Sequence, residues 1–118
     1  MAKRRIEVSE GMAALRSAAA GGAARPVLAT AVRFLLEELA ELAPGNSVEV
    51  RVPPFGAVQV IQGPAHTRGT PPNVIETDAA TWIPLAVGEL GWDAALSSGA
   101  IRASGTRADI QALLPLRP

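Results

Sequence analysis

Apolar residues recur at helical spacing along the first third of the chain. Met12, Leu15 and Ala19 fall on one side of a modest helix that Ser9 can cap and that Gly21 and Gly22 end. Residues 27–43 carry the clearest pattern. Leu28, Val32, Leu35, Leu39 and Leu42 form one stripe while Arg33, Glu37 and Glu41 share another face, which predicts an amphipathic helix lying on a partner surface. Pro26 suits its first turn, and Pro44, Gly45 and Asn46 stop it.

The period then changes from 3.6 to 2. Val48, Val50 and Val52 alternate with Ser47, Glu49 and Arg51. Beyond the turn formed by Pro53, Pro54, Phe55 and Gly56, residues 57–62 place Val58 and Val60 on one face, so the two strands read as a hairpin. A loop rich in Gly, Pro and Thr follows over residues 63–72 and carries His66 and Arg68; a third strand is expected at residues 73–77. Asp78 can cap a helix running to about Val87 and closed by Gly88, with Pro84 far enough inside to bend it. A short helix from Trp92 to Ser98, a strand in which Ile101 and Ala103 alternate with Arg102 and Ser104, and a last apolar helix complete the chain. Thr106 and Asp109 approximate a capping box for that last helix, and Pro115 ends it.

At 118 residues the chain fits one domain, 1–118, with residues 1–8 a flexible basic lead. Eleven basic and eleven acidic side chains leave no net charge, and only two Phe and two Trp supply aromatic surface, so nucleic acid is not an expected partner. The absence of cysteine removes disulfides, thiolate catalysis and thiolate zinc sites and fits a cytoplasmic location. No stretch of about twenty apolar residues predicts stable membrane insertion.

Three segments resemble the sterol carrier protein type-two superfamily, in particular its short bacterial sterol-carrier-like branch: Val-Pro-Pro-Phe-Gly-Ala-Val-Gln at 52–59, Gly-Pro-Ala-His-Thr-Arg-Gly-Thr-Pro-Pro-Asn-Val at 63–74, and residues 78–116 with Gly88-Glu89-Leu90, Trp92-Asp93-Ala94-Ala95 and Gly99 to Gly105. The resemblance implies an α+β fold: a twisted, mainly antiparallel sheet of four to five strands covered on one face by helices, with an apolar tunnel between the layers that accepts lipids. The chain departs from that pattern in having Thr106 and Arg107 where many relatives carry an acidic residue, and four evident strands where five are usual.

The expected function is non-catalytic binding or carriage of an apolar ligand (a lipid, fatty acyl or sterol-like molecule) by a monomer or weak dimer. The expected cavity lining is Leu35, Val58, Val60, Trp82, Leu85, Trp92 and Ile101, all apolar and drawn from five different elements. A polar loop site at His66, Arg68 and Asn73 is the competing candidate: an imidazole can act as a base and a guanidinium can hold a carboxylate or phosphate. It would suit a small enzyme or an enzyme accessory domain. A third reading is a ligand-free protein interaction module. The sequence calls for no cofactor, since one His cannot build a zinc site and no serine elbow, paired carboxylates or phosphate-binding loop is present. Because folding here relies on capped helices and apolar faces alone, cooperative thermal unfolding should be the same with and without reductant or chelator. A large chelator-induced loss of stability would count against that basis for the fold.

Overall fold

The computed structural model describes residues 6–63 and 73–118. Four helices and a four-stranded sheet occur in the order α1 (Val8–Ala20), α2 (Arg25–Leu42), β1 (Val48–Val52), β2 (Gly56–Val60), β3 (Asn73–Thr77), α3 (Ala79–Val87), α4 (Trp92–Ser97) and β4 (Ile101–Ser104). The strand order is β2-β1-β3-β4. β1 pairs antiparallel with β2 and parallel with β3, and β3 pairs antiparallel with β4. Parallel neighbours normally need a helical crossover between them. Here β2 supplies the return: it runs back along β1 from Gly56 opposite Val52 to Val60 opposite Val48, so that β3 can start level with Val48 on the other side.

Side chains alternate across this sheet as period 2 requires. Val48, Val50, Val52, Val60 and Ile75 point into the core and are fully buried, whereas Glu49, Arg51, Glu76 and Arg102 lie on the opposite face. On that face Arg51 pairs with Glu49 and Arg102 with Glu76. Exposed pairs of this kind contribute little stability but keep the uncovered face polar.

The helices cover the valine face. In α2, Val32, Leu35, Leu36 and Leu39 are buried against the strands and α3, and Ala31 and Phe34 on its flank are buried as well. The buried surface is wider than the single stripe read from the sequence because α1 packs on that flank. Leu42, expected in the stripe, is 58% exposed at the last residue of the helix. α1 begins two residues earlier than the Ser9 cap implies: Glu7 holds the N-cap position and its carbonyl accepts from Gly11 N at 2.8 Å. Asp78 caps α3 as expected, its Oδ1 accepting from Thr81 N at 2.9 Å. The helix continues through Pro84 to Val87.

The C-terminus differs from expectation. Where the sequence predicts an apolar helix after Thr106, only one 3-10 turn forms, at Gln111–Leu113. Pro115 restricts its predecessor, and Leu114 accordingly takes an extended backbone (φ −104°, ψ 149°). At the start of the segment the capping box does not close, since the Asp109 N–H donates to the Arg107 carbonyl at 2.9 Å and Asp109 Oδ1 accepts from Gln111 N at 2.8 Å, while the Arg107 N–H donates to Asn73 Oδ1 at 2.9 Å. The tail is instead tied to α3 by Leu116 N donating to the Ala86 carbonyl at 2.7 Å, with Ile110 and Leu116 buried.

The α1–α2 contact depends on a missing side chain. A Cβ at Gly11 would overlap the ring of Phe34, which is itself fully buried and has nowhere to retreat. Gly11→Ala gains up to about 1 kcal/mol of helix propensity, but overpacking at such a contact costs about 1–3 kcal/mol. The clash should win. Denaturant titration should show Gly11→Ala to be destabilising in the wild-type background and less so beside Phe34→Leu.

Candidate functional site

Apolar side chains that do not meet the sheet converge where α1, the start of α2 and α3 come together. They enclose a cleft of about 560 Å³. Met12, Leu15, Ala18 and Ala19 of α1 form one wall, with Gly22 and Ala23 of the following connection. Leu28 contributes from α2, and Ala79, Ala80, Ile83, Pro84 and Val87 of α3 form the other wall. The spacing 79/80, 83/84, 87 is one side of a helix, so α3 presents this side to the cleft while Trp82, Leu85 and Ala86 are buried in the core. Pro84 also has no N–H to return to the Ala80 carbonyl. Two charged residues border the cleft, Arg16 and Glu89, both exposed.

The local sequence explains the cleft. α1 ends in alanines and paired glycines, with Gly21 at φ 88° and Gly22 at φ 69°. It therefore brings little bulk to the end nearest the α1–α2 connection, while Gly11 lets its other end press against Phe34. One end of the helical pair is tightly packed and the other stands open.

None of the seven residues expected to line a cavity borders this cleft. Leu35, Val60, Trp82, Leu85, Trp92 and Ile101 are brought together in one buried cluster between sheet and helices, with Val58 half-buried against it. Trp82 anchors α3 to α2 by donating from Nε1 to the Val32 carbonyl at 3.3 Å. His66 and Arg68 lie outside the described residues. Asn73 is buried, and both ends of its amide are engaged: Nδ2 donates to the Ser47 carbonyl at 2.9 Å, and Oδ1 accepts from Arg107 N. Ser47 in turn donates from Oγ to the Ile61 carbonyl at 2.7 Å and from its backbone N–H to the same oxygen at 3.0 Å. Ile61 adopts a left-handed backbone, φ 66°, unusual for a β-branched residue, and its N–H donates to the Ala43 carbonyl at 2.8 Å. These contacts clamp the end of the sheet where the chain passes from β2 to β3.

The sequence did contain a signal for one wall of the cleft. Met12, Leu15 and Ala19 share a side of α1, but periodicity does not say what that side faces. Ile83 and Val87 stand out less because α3 is apolar nearly all round. Among the described residues no cluster of three or more His, Asp or Glu could hold a metal ion, and no helix is long and apolar enough to cross a membrane.

A mixed four-stranded sheet covered on one face by helices, with an apolar cleft within the helical layer, defines an α+β domain. Residues 24–116 match the family described as bacterial SCP ortholog, and the chain belongs to that sterol-carrier-protein-like family. Among curated proteins, none matches this chain.

The clamp allows a direct check. Asn73→Ala removes the partner of a buried carbonyl and of the Arg107 N–H, and an unsatisfied buried group costs about 1–3 kcal/mol. Urea titration should show a loss of at least that order, whereas Arg102→Ala, at an exposed ion pair, should change stability by no more than about 0.5 kcal/mol.

Proposed function

We propose that this protein binds and carries an apolar small molecule, without catalysing its conversion, in the cleft between α1, α2 and α3. The observation that carries this reading is the cleft itself: about 560 Å³, walled by Leu15, Leu28, Ile83 and Val87, in a chain of the sterol-carrier-like family. Its volume falls in the range of small-molecule sites, about 300–1,000 Å³. Binding here needs no reacting group. Removing hydrocarbon from water is the driving force, at about 25 cal/mol per Å² or about 0.8 kcal/mol per methylene. The ligand class is lipid-like: a fatty acyl chain, an acyl ester or a sterol-like ring system. Arg16 and Glu89 at the border leave a polar end of such a molecule in contact with charge and water rather than with hydrocarbon. The lack of cysteine fits a cytoplasmic setting.

Tryptophan emission provides the test, because Trp82 is next to Ile83 on the helix that forms one wall. Titration with fatty acids of increasing length should give saturable, near-stoichiometric binding. Affinity should rise about fourfold per methylene, the equivalent of about 0.8 kcal/mol, until the cleft is filled. Val87→Glu, which places a charge in the wall at a half-buried position, should reduce affinity at least tenfold while thermal unfolding stays cooperative. The reading is wrong if no apolar probe saturates, or if Val87→Glu leaves binding unchanged.

A further inference from the structure

Half of the cleft is built by residues outside the segment that matches the family. The match begins at residue 24, whereas Met12, Leu15, Ala18 and Ala19 of α1 and Gly22 in its connection face Leu28, Ile83 and Val87 of the matched segment. The two walls also differ in how they are held. α3 is fixed to the core through Trp82 Nε1 on the Val32 carbonyl and through Leu116 N on the Ala86 carbonyl. α1 is fixed at its far end, where Gly11 fits beneath Phe34 and Ile6 N donates to Glu37 Oε1 at 3.2 Å. Neither wall can shift far to accommodate a ligand without breaking those contacts. The width of the cleft is then set by the side chains projecting into it. On the α3 side the branched Ile83 and Val87 stand close to the core beside Ala79 and Ala80; along α1 the side chains fall from Met12 and Leu15 to Ala18, Ala19 and Gly22.

We infer that α1 is the ligand-selecting wall of this protein, with Ala19 setting the width open to the ligand and Met12 acting as the adjustable stop two turns away. The inference rests on the carrier reading. A fused-ring ligand fills the width left by Ala19, whereas a single hydrocarbon chain does not, so adding carbons at position 19 penalises the broad ligand first. Removing the Met12 side chain relaxes the restriction. Ala19 is exposed and Met12 half-buried, so neither substitution opens the core formed by Val32, Leu35 and Leu39.

The test is a matched titration of the full chain with hexadecanoate and with a sterol, read by tryptophan emission, in the wild type, Ala19→Leu and Met12→Ala, with thermal melting as the control for folding. One or two methylenes of steric mismatch in an apolar pocket change discrimination by about 10-fold or more. Ala19→Leu should therefore shift the preference toward hexadecanoate by about tenfold, and Met12→Ala should shift it the other way. If the wild type binds only hexadecanoate, Met12→Ala should gain measurable affinity for the sterol; if it binds only the sterol, Ala19→Leu should weaken that binding about tenfold. Selection by α1 is overturned if the wild type binds while the preference stays fixed in both variants, and more so if Trp92→Phe or Ile101→Val changes it instead, which would place the ligand between sheet and helices. If neither probe binds the wild type, the carrier reading falls and the selecting wall falls with it.

Discussion

Burial of α2 is the constraint on which the rest of the molecule hangs. Val32, Leu35, Leu36 and Leu39 leave water almost completely, and each buried side chain of this size contributes about 1.5–3 kcal/mol. The same helix receives α1 on its flank and accepts the Trp82 indole N–H at Val32. Sheet, α1 and α3 are thus oriented by reference to one cylinder. Displacing α2 would release all three, while displacing α1 alone would release the cleft and leave the sheet packed.

This hierarchy explains why the open space lies where it does. Layers built on a valine-bearing sheet and a leucine-bearing helix pack at close to crystal density, and six of the residues that the sequence suggested as cavity lining are consumed in that packing. α1 forms a further layer outside it and has too few large side chains to fill the angle between itself and α3. The cleft is what remains when a small-residue helix is laid over a well-filled core.

Much of this architecture could be read from the residues. The change of period at Ser47, the hairpin turn at Pro53 to Gly56, the Asp78 cap and the end of α1 at Gly21 are local features with local causes, and each is present. The order of the strands was not legible, because nothing in the spacing of Asn73 to Thr77 says that they pair with β1 in parallel. The final helix does not follow its start signal because the Asp109 N–H and carboxylate that the capping box needs are turned to the Arg107 carbonyl and to Gln111 N, while Asn73, more than thirty residues earlier in the chain, holds Arg107 in place. The place of the cleft was not legible either. In a helix as apolar as α3, the pattern shows that every side prefers to leave water but not which side meets the core and which meets α1.

The clamp at Ser47, Ile61 and Asn73 has a kinetic counterpart. The β1–β2 hairpin and the α1–α2 pair join near neighbours in the chain and can form early, but the centre of the sheet is the parallel β1–β3 pairing, with Val48 opposite Asn73. That contact cannot form until Val48 and Asn73 have been brought together, a loop closure whose entropy cost comes before any of its hydrogen bonds are made. Asn73 marks the point of arrival: its amide meets the Ser47 carbonyl and the Arg107 N–H only in the correct register. The buried amide thus acts as a register check on that pairing, since a chain misaligned by one residue would leave a polar group stranded in the core.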